Sequence, residues 1–489
     1  MSANAKSFLE KKIWENNIFT GEWVKGSDTF ISTEPATGES LGSLGKITAS
    51  ELASITKQAA VAQKEWAKTA YETRIDIMKK AANCLQENRE EIVKIIMQES
   101  GGIRPKAEFE IGMAIKILNY SATMPYEAQG HILPSEHGKI SLAKRVPVGV
   151  VGVISPFNFP LLLSLRAVAP AIAVGNAAVL KPDPQTTICS GVVIARAFEE
   201  AGLPKGIFNL VSGGGDVGQA ICKDPTISMV QFTGSTRAGK EVGKTCGENL
   251  KKVSLELGGK NSLIIRADAD MDIAIKNATW GSFLHQGQIC MATGKILVHS
   301  SIVQEFTKRL AEHASRLPCG NPLTEQVALG PLINATQVKN VERIIEQSVT
   351  AGAKIEAGGT SENLFVKPTV LSGVKPGMAC YEEEIFGPVA SIISYDTDDE
   401  AIAYANDTEY GLSSAIISKD IGKALEMGEQ IHSGLFHVND QTVNDEVVNP
   451  FGGVGKSGNG NHIGGAANWE DFTHWRWITI KSEAPAYPL

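Results

Sequence analysis

The sequence lacks the features of a disulfide-stapled, metal-binding, membrane-spanning or nucleic-acid-binding protein. Its seven cysteines are an odd number, widely scattered, with no CxxC or Cys/His spacing of the zinc type. The longest apolar runs, such as 146–154 and 161–165, are too short to cross a membrane. The N-terminus has no apolar run of the signal-peptide type, and the net charge of −8 comes without a basic cluster. We therefore expect a reduced, cytoplasmic protein without metal, membrane or nucleic-acid partners.

The first third of the chain is predicted to be helical after an irregular start. The length of 489 residues leaves room for several cores, and the composition is that of a globular protein. We interpret residues 1–45 as an extended lead-in broken by turns. Helical patterns are predicted next at 48–66, where 48–51 reads as a capping box, at 72–98 and at 105–126.

From residue 146 onward, short β-rich runs alternate with helical segments. Strands are predicted at 148–154, 177–180, 207–211, 229–232, 252–257 and 261–265, and the alternation continues past residue 430. Such alternation indicates βαβ units and parallel sheets, so we predict an α/β fold. The tail from Thr473 to Ile480 alternates like a strand and carries Trp475 and Trp477 on one face. Exposed aromatic strands of this kind often pair with a neighbouring subunit.

Two stretches suggest chemistry when they are taken together. Cys290 lies at the end of a predicted helix, in the run FLHQGQICMA of residues 283–292. Glu256 lies in an apolar strand that ends at Gly258-Gly259. Neither residue indicates a catalytic site by itself, because most cysteines are small buried hydrophobes and most isolated glutamates are exposed. A thiol nucleophile, a carboxylate base and cofactor-binding loops are nevertheless the groups needed to oxidise an aldehyde.

Two glycine-rich loops are candidate phosphate sites. The loop 213–218 formally matches GxGxxG after a strand, but the sequence lacks the acidic residue expected about 20 positions later. A simple turn before a helix is an equally good interpretation of this loop. The loop 232–239 (FTGSTRAG) follows a strand and opens a helix, so backbone N–H groups and the Ser235 hydroxyl could face a pyrophosphate. Thr-Gly-Ser is also a common helix cap.

Seven motifs in order along nearly the whole chain resemble the NAD(P)-dependent aldehyde dehydrogenase superfamily. They are PFNFP at 156–160, KP at 181–182, FTGS at 232–235, LELGGK at 255–260, GQIC at 287–290, EEIFGP at 383–388 and PFGG at 450–453. The runs at 283–292, 437–441 and 464–467 are most similar to the benzaldehyde dehydrogenase branch.

The resemblance implies a domain organisation. We expect a Rossmann-like NAD-binding domain from 1–126 and 146–257, and a second α/β catalytic domain at 258–455. A small bridging β element from 127–145 and 466–489 would assemble a homodimer or homotetramer.

The resemblance also implies a mechanism. Cys290 would attack the aldehyde carbonyl, and the Asn158 side chain with the Cys290 backbone N–H would stabilise the oxyanion. After hydride transfer to the cofactor, Glu256 would activate water to hydrolyse the thioester. Burial in an apolar pocket should raise the pKa of Glu256, as a general base requires. A glutamate at this position favours hydrolysis over transfer of the acyl group to coenzyme A.

Cofactor residues are implied in the same way. They are Ile154, Phe157, Lys181, Gly234, Ser235, Leu257, Glu384 and Phe386, of which Lys181 would bind the adenosine ribose and Glu384 the nicotinamide ribose. NAD-preferring relatives often carry a glutamate three residues after the lysine, and this sequence has Pro184 there. We therefore expect NAD as cofactor, with NADP tolerated.

The expected aldehyde pocket is apolar. Phe159, Leu163, Leu284 and Phe451 occupy tunnel positions in relatives, and such a slot suits an aromatic ring. Arg166 is interpreted as a helix-surface residue, although a cation in the tunnel would favour acidic semialdehydes. The alternatives are therefore a semialdehyde or aliphatic aldehyde dehydrogenase, or a non-catalytic protein on the same fold. The chain also departs from the family at 459–462, where Asn-Gly-Asn-His replaces the usual Gly-Arg.

Overall fold

The N-terminal part of the chain is a helical layer preceded by short strands. The computed structural model describes residues 7–488. In chain order, this part contains α1 (Lys11–Trp14), β1 (Asn17–Phe19), β2 (Trp23–Lys25), β3 (Asp28–Thr33), β4 (Ser40–Lys46), α2 (Ala49–Trp66), α3 (Tyr71–Glu87), α4 (Arg89–Ser100) and α5 (Arg104–Ser121). The predicted lead-in is thus partly sheet, because β3 pairs with β4 and β1 joins a larger sheet.

Two details of this layer test the sequence predictions. The capping box is confirmed, since Glu51 Oε2 accepts a hydrogen bond of 2.7 Å from the Thr48 N–H. The single helix predicted at 72–98 is wrong, because the chain breaks at Asn88 between α3 and α4. The Asn88 side chain donates to the Cys84 carbonyl at 2.8 Å. Asparagine competes with the backbone in this way at helix ends, so α3 stops there.

A seven-stranded sheet forms the first α/β unit. Its region contains β5 (Gly130–Leu133), β6 (Lys139–Pro147), β7 (Val150–Ile154), α6 (Pro160–Ala173), β8 (Ala177–Lys181), α7 (Val193–Glu200), β9 (Phe208–Leu210), α8 (Gly215–Lys223), β10 (Ile227–Thr233), α9 (Thr236–Glu248) and β11 (Lys252–Glu256). The strand order is β11-β10-β7-β8-β9-β1-β2, and its first five strands run parallel. Every residue of β7 and β8 is buried, as expected for a parallel sheet covered on both faces.

A second seven-stranded sheet follows. Its region contains β12 (Asn261–Ile265), α10 (Met271–Phe283), β13 (Thr293–His299), α11 (Val303–Ser315), α12 (Ala335–Thr350), β14 (Lys354–Ala357), β15 (Ser361–Glu362), β16 (Phe365–Val366), β17 (Thr369–Ser372), α13 (Ala379–Glu382), β18 (Val389–Tyr395), α14 (Asp398–Asn406), β19 (Tyr410–Gly411), β20 (Ser413–Ile417), α15 (Ile421–Gly428), β21 (Leu435–Val438) and β22 (Val454–Gly455). The order is β14-β17-β18-β13-β12-β20-β21, with only β14 antiparallel. The predicted α/β fold with two parallel-sheet units is confirmed.

The chain ends in a small antiparallel sheet. After α16 (Ala467–Phe472), the strand β23 (Thr473–Lys481) pairs along its whole length with β6, which also pairs with β5. The predicted tail strand is therefore confirmed. Trp475 and Trp477 are 45% and 69% exposed.

The sequence also predicts the absence of membrane-spanning helices, metal sites, disulfides and a signal segment. Within residues 7–488, no helix is long and apolar enough to span a bilayer, and no cluster of His, Cys, Asp or Glu has the make-up of a metal site. All seven cysteines are free thiols. The expectation that the N-terminus lacks a signal-type segment falls partly on residues 1–6, which lie outside the described part.

Candidate active site

The carboxyl ends of the first sheet's parallel strands gather several predicted site residues. Ile154 ends β7 and is the register partner of Lys181, the last residue of β8. Glu256 ends β11 beside Thr233, the last residue of β10. In open α/β sheets this edge is where ligands bind, so the topology alone selects it as a site.

Cys290 lies in an irregular loop between α10 and β13, and its predicted position at a helix end is wrong. The helix stops at Phe283, and His285, Gln286 and Gly287 then adopt left-handed backbone angles with φ of 48°, 56° and 68°. Distant hydrogen bonds offset this strain: Gln286 Nε2 donates to the Gly101 carbonyl at 3.1 Å and to Pro331 at 2.7 Å.

Asn261, at the start of β12, fixes the carboxyl side of the same loop. Its side-chain amide donates to the carbonyls of Cys290 and Ala292, both at 2.8 Å. Gly259 is required beside it, because a Cβ there would lie 2.7 Å from the Cys290 carbonyl oxygen. Neither contact was foreseen from the sequence, since each joins segments whose spacing carries no periodic signal.

The half-buried Cys290 side chain stands where two cavities meet. One cavity of 290 Å³ is lined mainly by apolar side chains, and a second of 240 Å³ opens toward the first sheet. Cys290, Asn158 and Leu163 line both. A group held in either cavity can therefore reach the thiol.

Asn158 lies in the loop between β7 and α6 and is buried. Its side-chain amide donates to the Gln288 carbonyl at 2.9 Å, so the amide points at the Cys290 loop. An N–H donor held beside a nucleophile is the arrangement that stabilises an oxyanion.

Glu256 is buried without a hydrogen-bond partner on either carboxylate oxygen within residues 7–488. Burial raises its pKa well above the usual range, and the carboxylates of Asp471 and Asp445 raise it further. The Arg166 cation acts in the opposite direction. A carboxyl group whose pKa is raised in this way accepts a proton more readily than an ordinary carboxylate.

The Cys290 thiol is also perturbed. Burial raises its pKa to about 12, and the nearby carboxylates of Glu384, Glu256 and Asp445 add to the shift, while Arg166 opposes it. Such a thiol is protonated near pH 7. Nucleophilic attack therefore needs a base that removes its proton.

Six of the eight predicted cofactor residues line the 240 Å³ cavity together with Glu256. They are Phe157, Gly234, Ser235, Leu257, Glu384 and Phe386. The rings of Phe157 and Phe386 meet edge to face at 5.8 Å. Glu384 accepts a hydrogen bond of 3.2 Å from the Gly259 N–H, and burial raises its pKa to about 7. A Cβ at Gly258 would lie 2.1 Å from Glu384 Oε2, so the glycine leaves room for that carboxylate.

Lys181 and Ile154 lie at the same sheet edge, outside the lining of that cavity. Lys181 is buried, and burial lowers its pKa against the opposing influence of the Asp183 and Asp216 carboxylates. Ser235 caps α9, its hydroxyl accepting from the Ala238 N–H at 3.3 Å. The predicted loop at 213–218 is mostly the first turn of α8, which begins at Gly215, and a Cβ at Gly218 would lie 3.8 Å from Lys181 Cδ. This loop therefore also borders the predicted adenosine-ribose region.

All four predicted pocket residues, Phe159, Leu163, Leu284 and Phe451, line the 290 Å³ cavity. Other residues of the wall carry no motif that predicts them, among them Ile103, Lys106, Phe109, Leu162, Trp280, Val443 and Asn444. Phe109 lies edge to face with Phe159 at 6.4 Å. The aromatic residues of this wall come from α5, α10, the loop before α6 and the loop before β22, and no local pattern links those segments.

The interpretation of Arg166 as a helix-surface residue is wrong. Arg166 is buried on α6, lines the apolar cavity, and places its Nη2 atom 2.5 Å from Asp445 Oδ1. Its guanidinium also lies 4.7 Å from the centre of the Phe451 ring. The helix α6 is apolar on nearly every side, so an arginine there must be paired to be tolerated.

The site thus combines a thiol, an amide donor and a buried carboxyl group that has no hydrogen-bond partner among residues 7–488, where an apolar cavity meets a cleft at the edge of the first sheet. These are the parts of an enzyme that works through a covalent acyl intermediate. The aldehyde dehydrogenase family model matches residues 23–478. The chain belongs to the aldehyde dehydrogenase family.

Individual relatives cover the whole chain. It is 48% identical to a vanillin dehydrogenase from an Amycolatopsis species over 99% of this chain and 100% of that one. It is 42% identical to an NAD⁺-dependent benzaldehyde dehydrogenase of Pseudomonas putida, over 98% and 99% of the two chains. A salicylaldehyde dehydrogenase of Pseudomonas putida, solved with salicylaldehyde, superposes with a TM-score of 0.93 at 31% identity, covering 97% of this chain and 99% of that one.

Proposed function

We propose that this enzyme oxidises an aromatic aldehyde to the carboxylic acid, with reduction of NAD and consumption of water. The observation that carries the proposal is the position of Cys290 at the junction of the two cavities, with Asn158 and Glu256 beside it. An aldehyde in the apolar cavity and a nicotinamide in the other would meet at the thiol.

The first step makes the carbonyl carbon tetrahedral. Cys290 Sγ bonds to that carbon while the thiol proton passes to solvent water, which leaves Glu256 on the same cavity available for the hydrolysis step. The new oxyanion would accept hydrogen bonds from the Asn158 side chain and the Cys290 backbone N–H. Loss of such a donor typically costs about 100- to 1,000-fold in rate.

The residues of the second cavity fit a dinucleotide. Gly258 leaves the space that the Glu384 carboxylate occupies, and that carboxylate would bond the nicotinamide ribose. Phe386 would pack near the nicotinamide, Gly234 and Ser235 would approach the phosphates, and Lys181 would bind the adenosine ribose. When bound, NAD supplies the hydride acceptor.

The remaining step regenerates the enzyme. Loss of hydride from the tetrahedral carbon leaves a thioester on Cys290. Glu256 would take a proton from water, whose oxygen adds to the acyl carbon, and the C–S bond would break to release the acid as the proton passes from Glu256 to Cys290 Sγ. A carboxyl group of raised pKa suits both directions of proton transfer.

Three observations favour an aromatic substrate. The 290 Å³ cavity is walled by Phe109, Phe159, Trp280 and Phe451. Its two buried cations, Arg166 and Lys106, are each paired with a carboxylate, that of Asp445 and that of Glu110, so the carboxylate of an acidic semialdehyde would find no free positive charge. The vanillin, benzaldehyde and salicylaldehyde dehydrogenases named above act on aromatic aldehydes.

NAD is the proposed cofactor because the benzaldehyde relative is named for it. The turn after β8 carries Pro184 in place of a ribose-binding glutamate, which removes the usual repulsion of a 2′-phosphate. We expect NADP to be used less efficiently. The carboxylates of Asp183 and Asp216, whose charges raise the Lys181 pKa, would repel the 2′-phosphate of NADP near Lys181.

We also propose a division of the chain into three functional parts. The cofactor domain would comprise 1–126 and 146–257, the catalytic domain 258–455, and the bridging element 127–145 with 466–489. The sheet of β5, β6 and β23 with its exposed tryptophans would join subunits into a dimer or tetramer, and the cytoplasm is the expected compartment.

A kinetic panel tests the function. Purified protein is mixed with NAD or NADP and with benzaldehyde, vanillin, hexanal or succinic semialdehyde, and NADH absorbance is followed. We expect the highest kcat/KM for an aromatic aldehyde with NAD. Highest efficiency with succinic semialdehyde would exclude the aromatic assignment, and no turnover with any aldehyde would favour a non-catalytic protein.

A further inference from the structure

A buried ion pair on α5 has no part in the chemistry described above. Lys106 Nζ lies 2.6 Å from Glu110 Oε2, and both side chains are fully buried. Ser100 Oγ lies 3.3 Å from the same ammonium group. Burying two ions costs several kcal/mol for each, and apolar replacements are often as stable or more stable. Stability alone therefore does not account for this pair.

The second oxygen of Glu110 caps a helix other than its own. The helix α6 begins at Pro160, which has no N–H, and Phe159 at the cap position provides no side-chain acceptor. Glu110 Oε1 instead accepts from the N–H groups of Leu161 at 2.8 Å and Leu162 at 3.3 Å. A carboxylate from α5 thus satisfies the first turn of α6 and meets the positive end of its dipole.

Lys106 acts on the residue just before that turn. Its ammonium lies 4.5 Å from the centre of the Phe159 ring, within the range of a cation–π contact. The His285 imidazole packs against the same ring, edge to face at 5.4 Å. The ring therefore contacts both a fixed cation and a buried imidazole, and it lines the cavity that ends at Cys290.

We propose that Lys106 and Glu110 are positioning residues for the segment that carries Asn158 and Phe159. Glu110 fixes the start of α6 and so holds the Asn158 amide against the Cys290 loop, while Lys106 sets the Phe159 ring that an aromatic substrate contacts. The inference rests on the proposed function and deepens it, because it assigns the alignment of the oxyanion donor to a pair outside the reacting groups.

The two residues should affect different kinetic constants. A displacement of about 1 Å at a catalytic group can cost about 100-fold in rate. Glu110→Gln keeps an acceptor but leaves the Lys106 charge unpaired, so we expect kcat to fall by about 10- to 100-fold with the KM for NAD nearly unchanged. Lys106→Met should raise the KM for benzaldehyde more than the KM for acetaldehyde, since only the aromatic aldehyde contacts the Phe159 ring.

A double-mutant cycle with Asn158→Ala separates positioning from general loss of structure. If Glu110 acts through the Asn158 amide, Glu110→Gln should change kcat by less than about twofold once that amide is absent. If the losses of kcat in Glu110→Gln and in Asn158→Ala instead multiply in the double variant, the proposal is overturned. The matched control is Glu108→Gln, on the same helix, whose carboxylate pairs instead with Arg89 on α4 and Arg104 at the start of α5.

A double variant without either charge controls for misfolding caused by an unpaired buried ion. The double variant Lys106→Met with Glu110→Gln removes both charges, so no buried ion is left alone. We expect it to melt close to wild type and still lose kcat. If every variant of the pair fails to fold, the pair is a stability element and the proposal is overturned. A wild-type protein without aldehyde oxidation would instead refute the proposed function, whereas active variants that match Glu108→Gln would refute this inference alone.

Discussion

Arg166 and Asp445 form a buried ion pair, with Nη2 and Oδ1 2.5 Å apart, in the wall of the cavity that ends at Cys290. They are 279 positions apart in the chain and join α6 to the loop after β21. Together with the Lys106–Glu110 pair, this pair leaves the proposed aldehyde cavity without a free cation. This neutrality separates an aromatic pocket from one built for acidic semialdehydes.

Breaking the pair should therefore change substrate choice. Asp445→Asn frees the Arg166 cation, which would then attract a carboxylate on the substrate. We expect the kcat/KM ratio of 4-carboxybenzaldehyde to benzaldehyde to rise by about tenfold, or roughly 1.4 kcal/mol. Steady-state kinetics with both aldehydes measure the ratio. Glu446→Gln, a change at an exposed neighbour, is the matched control, and an unchanged ratio in Asp445→Asn would argue against a neutralised cation.

The same two residues should shift the pH profile in opposite directions. The charged groups that act on the Glu256 pKa are Arg166 from α6, Asp471 from α16 and Asp445 from the loop after β21. Arg166 lowers the Glu256 pKa, so Arg166→Met raises it. The base is active as the carboxylate, so the acid limb of kcat moves to higher pH.

Asp445 raises that pKa, and Asp445→Asn should move the limb to lower pH. The measurement is kcat for benzaldehyde from pH 5 to 9 at saturating NAD. Shifts in the same direction for both variants would show that the limb reports another group. Glu384, whose pKa burial raises to about 7, is the next candidate and can be tested as Glu384→Gln.

The sequence predicted the groups that we propose as reacting groups, but not the groups that hold them in place. Cys290, Glu256 and Asn158 lie in short motifs beside strand ends, and the parallel topology brings strand ends together. Local patterns also predicted the five parallel strands of the first sheet, and β12 of the second, within a few residues.

What the sequence could not predict depends on contacts between distant segments. Arg166 reads as a surface residue because only Asp445, far along the chain, explains its burial. The left-handed turn at His285 and Gln286 is stabilised by carbonyls of Gly101 and Pro331, so local propensity predicted a helix there. Lys106 likewise has the i,i+4 spacing of an ordinary surface pair.

A variant that stops after hydride transfer would test the role of Glu256. Glu256→Gln cannot accept the proton of the attacking water, so the thioester should accumulate. We expect steady-state turnover to fall by roughly 10⁴-fold, with at most one NADH formed per subunit. Stopped-flow absorbance measures the burst, and intact mass spectrometry measures the acyl group on Cys290. Cys290→Ala is the control, which should show neither. Unchanged turnover in Glu256→Gln would exclude it as the hydrolytic base.

The three-stranded sheet offers a test of assembly. Trp477 is 69% exposed on β23, and Ile132 is 84% exposed on β5, so the sheet presents large apolar side chains on its surface. Trp477→Lys should lower the molecular mass measured by light scattering after gel filtration, because a buried lysine opposes association. Ile421→Lys, at an exposed site on α15, is the control. A wild-type protein that elutes as a monomer would contradict the proposed bridging role.

The fit between Gly258 and Glu384 makes the cofactor cavity testable with a single methyl group. In Gly258→Ala the new Cβ would lie 2.1 Å from Glu384 Oε2, so the carboxylate must move away from the Gly259 N–H. If Glu384 bonds the nicotinamide ribose, the KM for NAD should rise by about tenfold, since one charge-assisted hydrogen bond contributes roughly 1.5–3 kcal/mol. Gly247→Ala in α9 is the control, because a Cβ there meets nothing within 4 Å and alanine favours a helix. A Gly258→Ala enzyme with an unchanged KM for NAD would place the nicotinamide ribose away from Glu384.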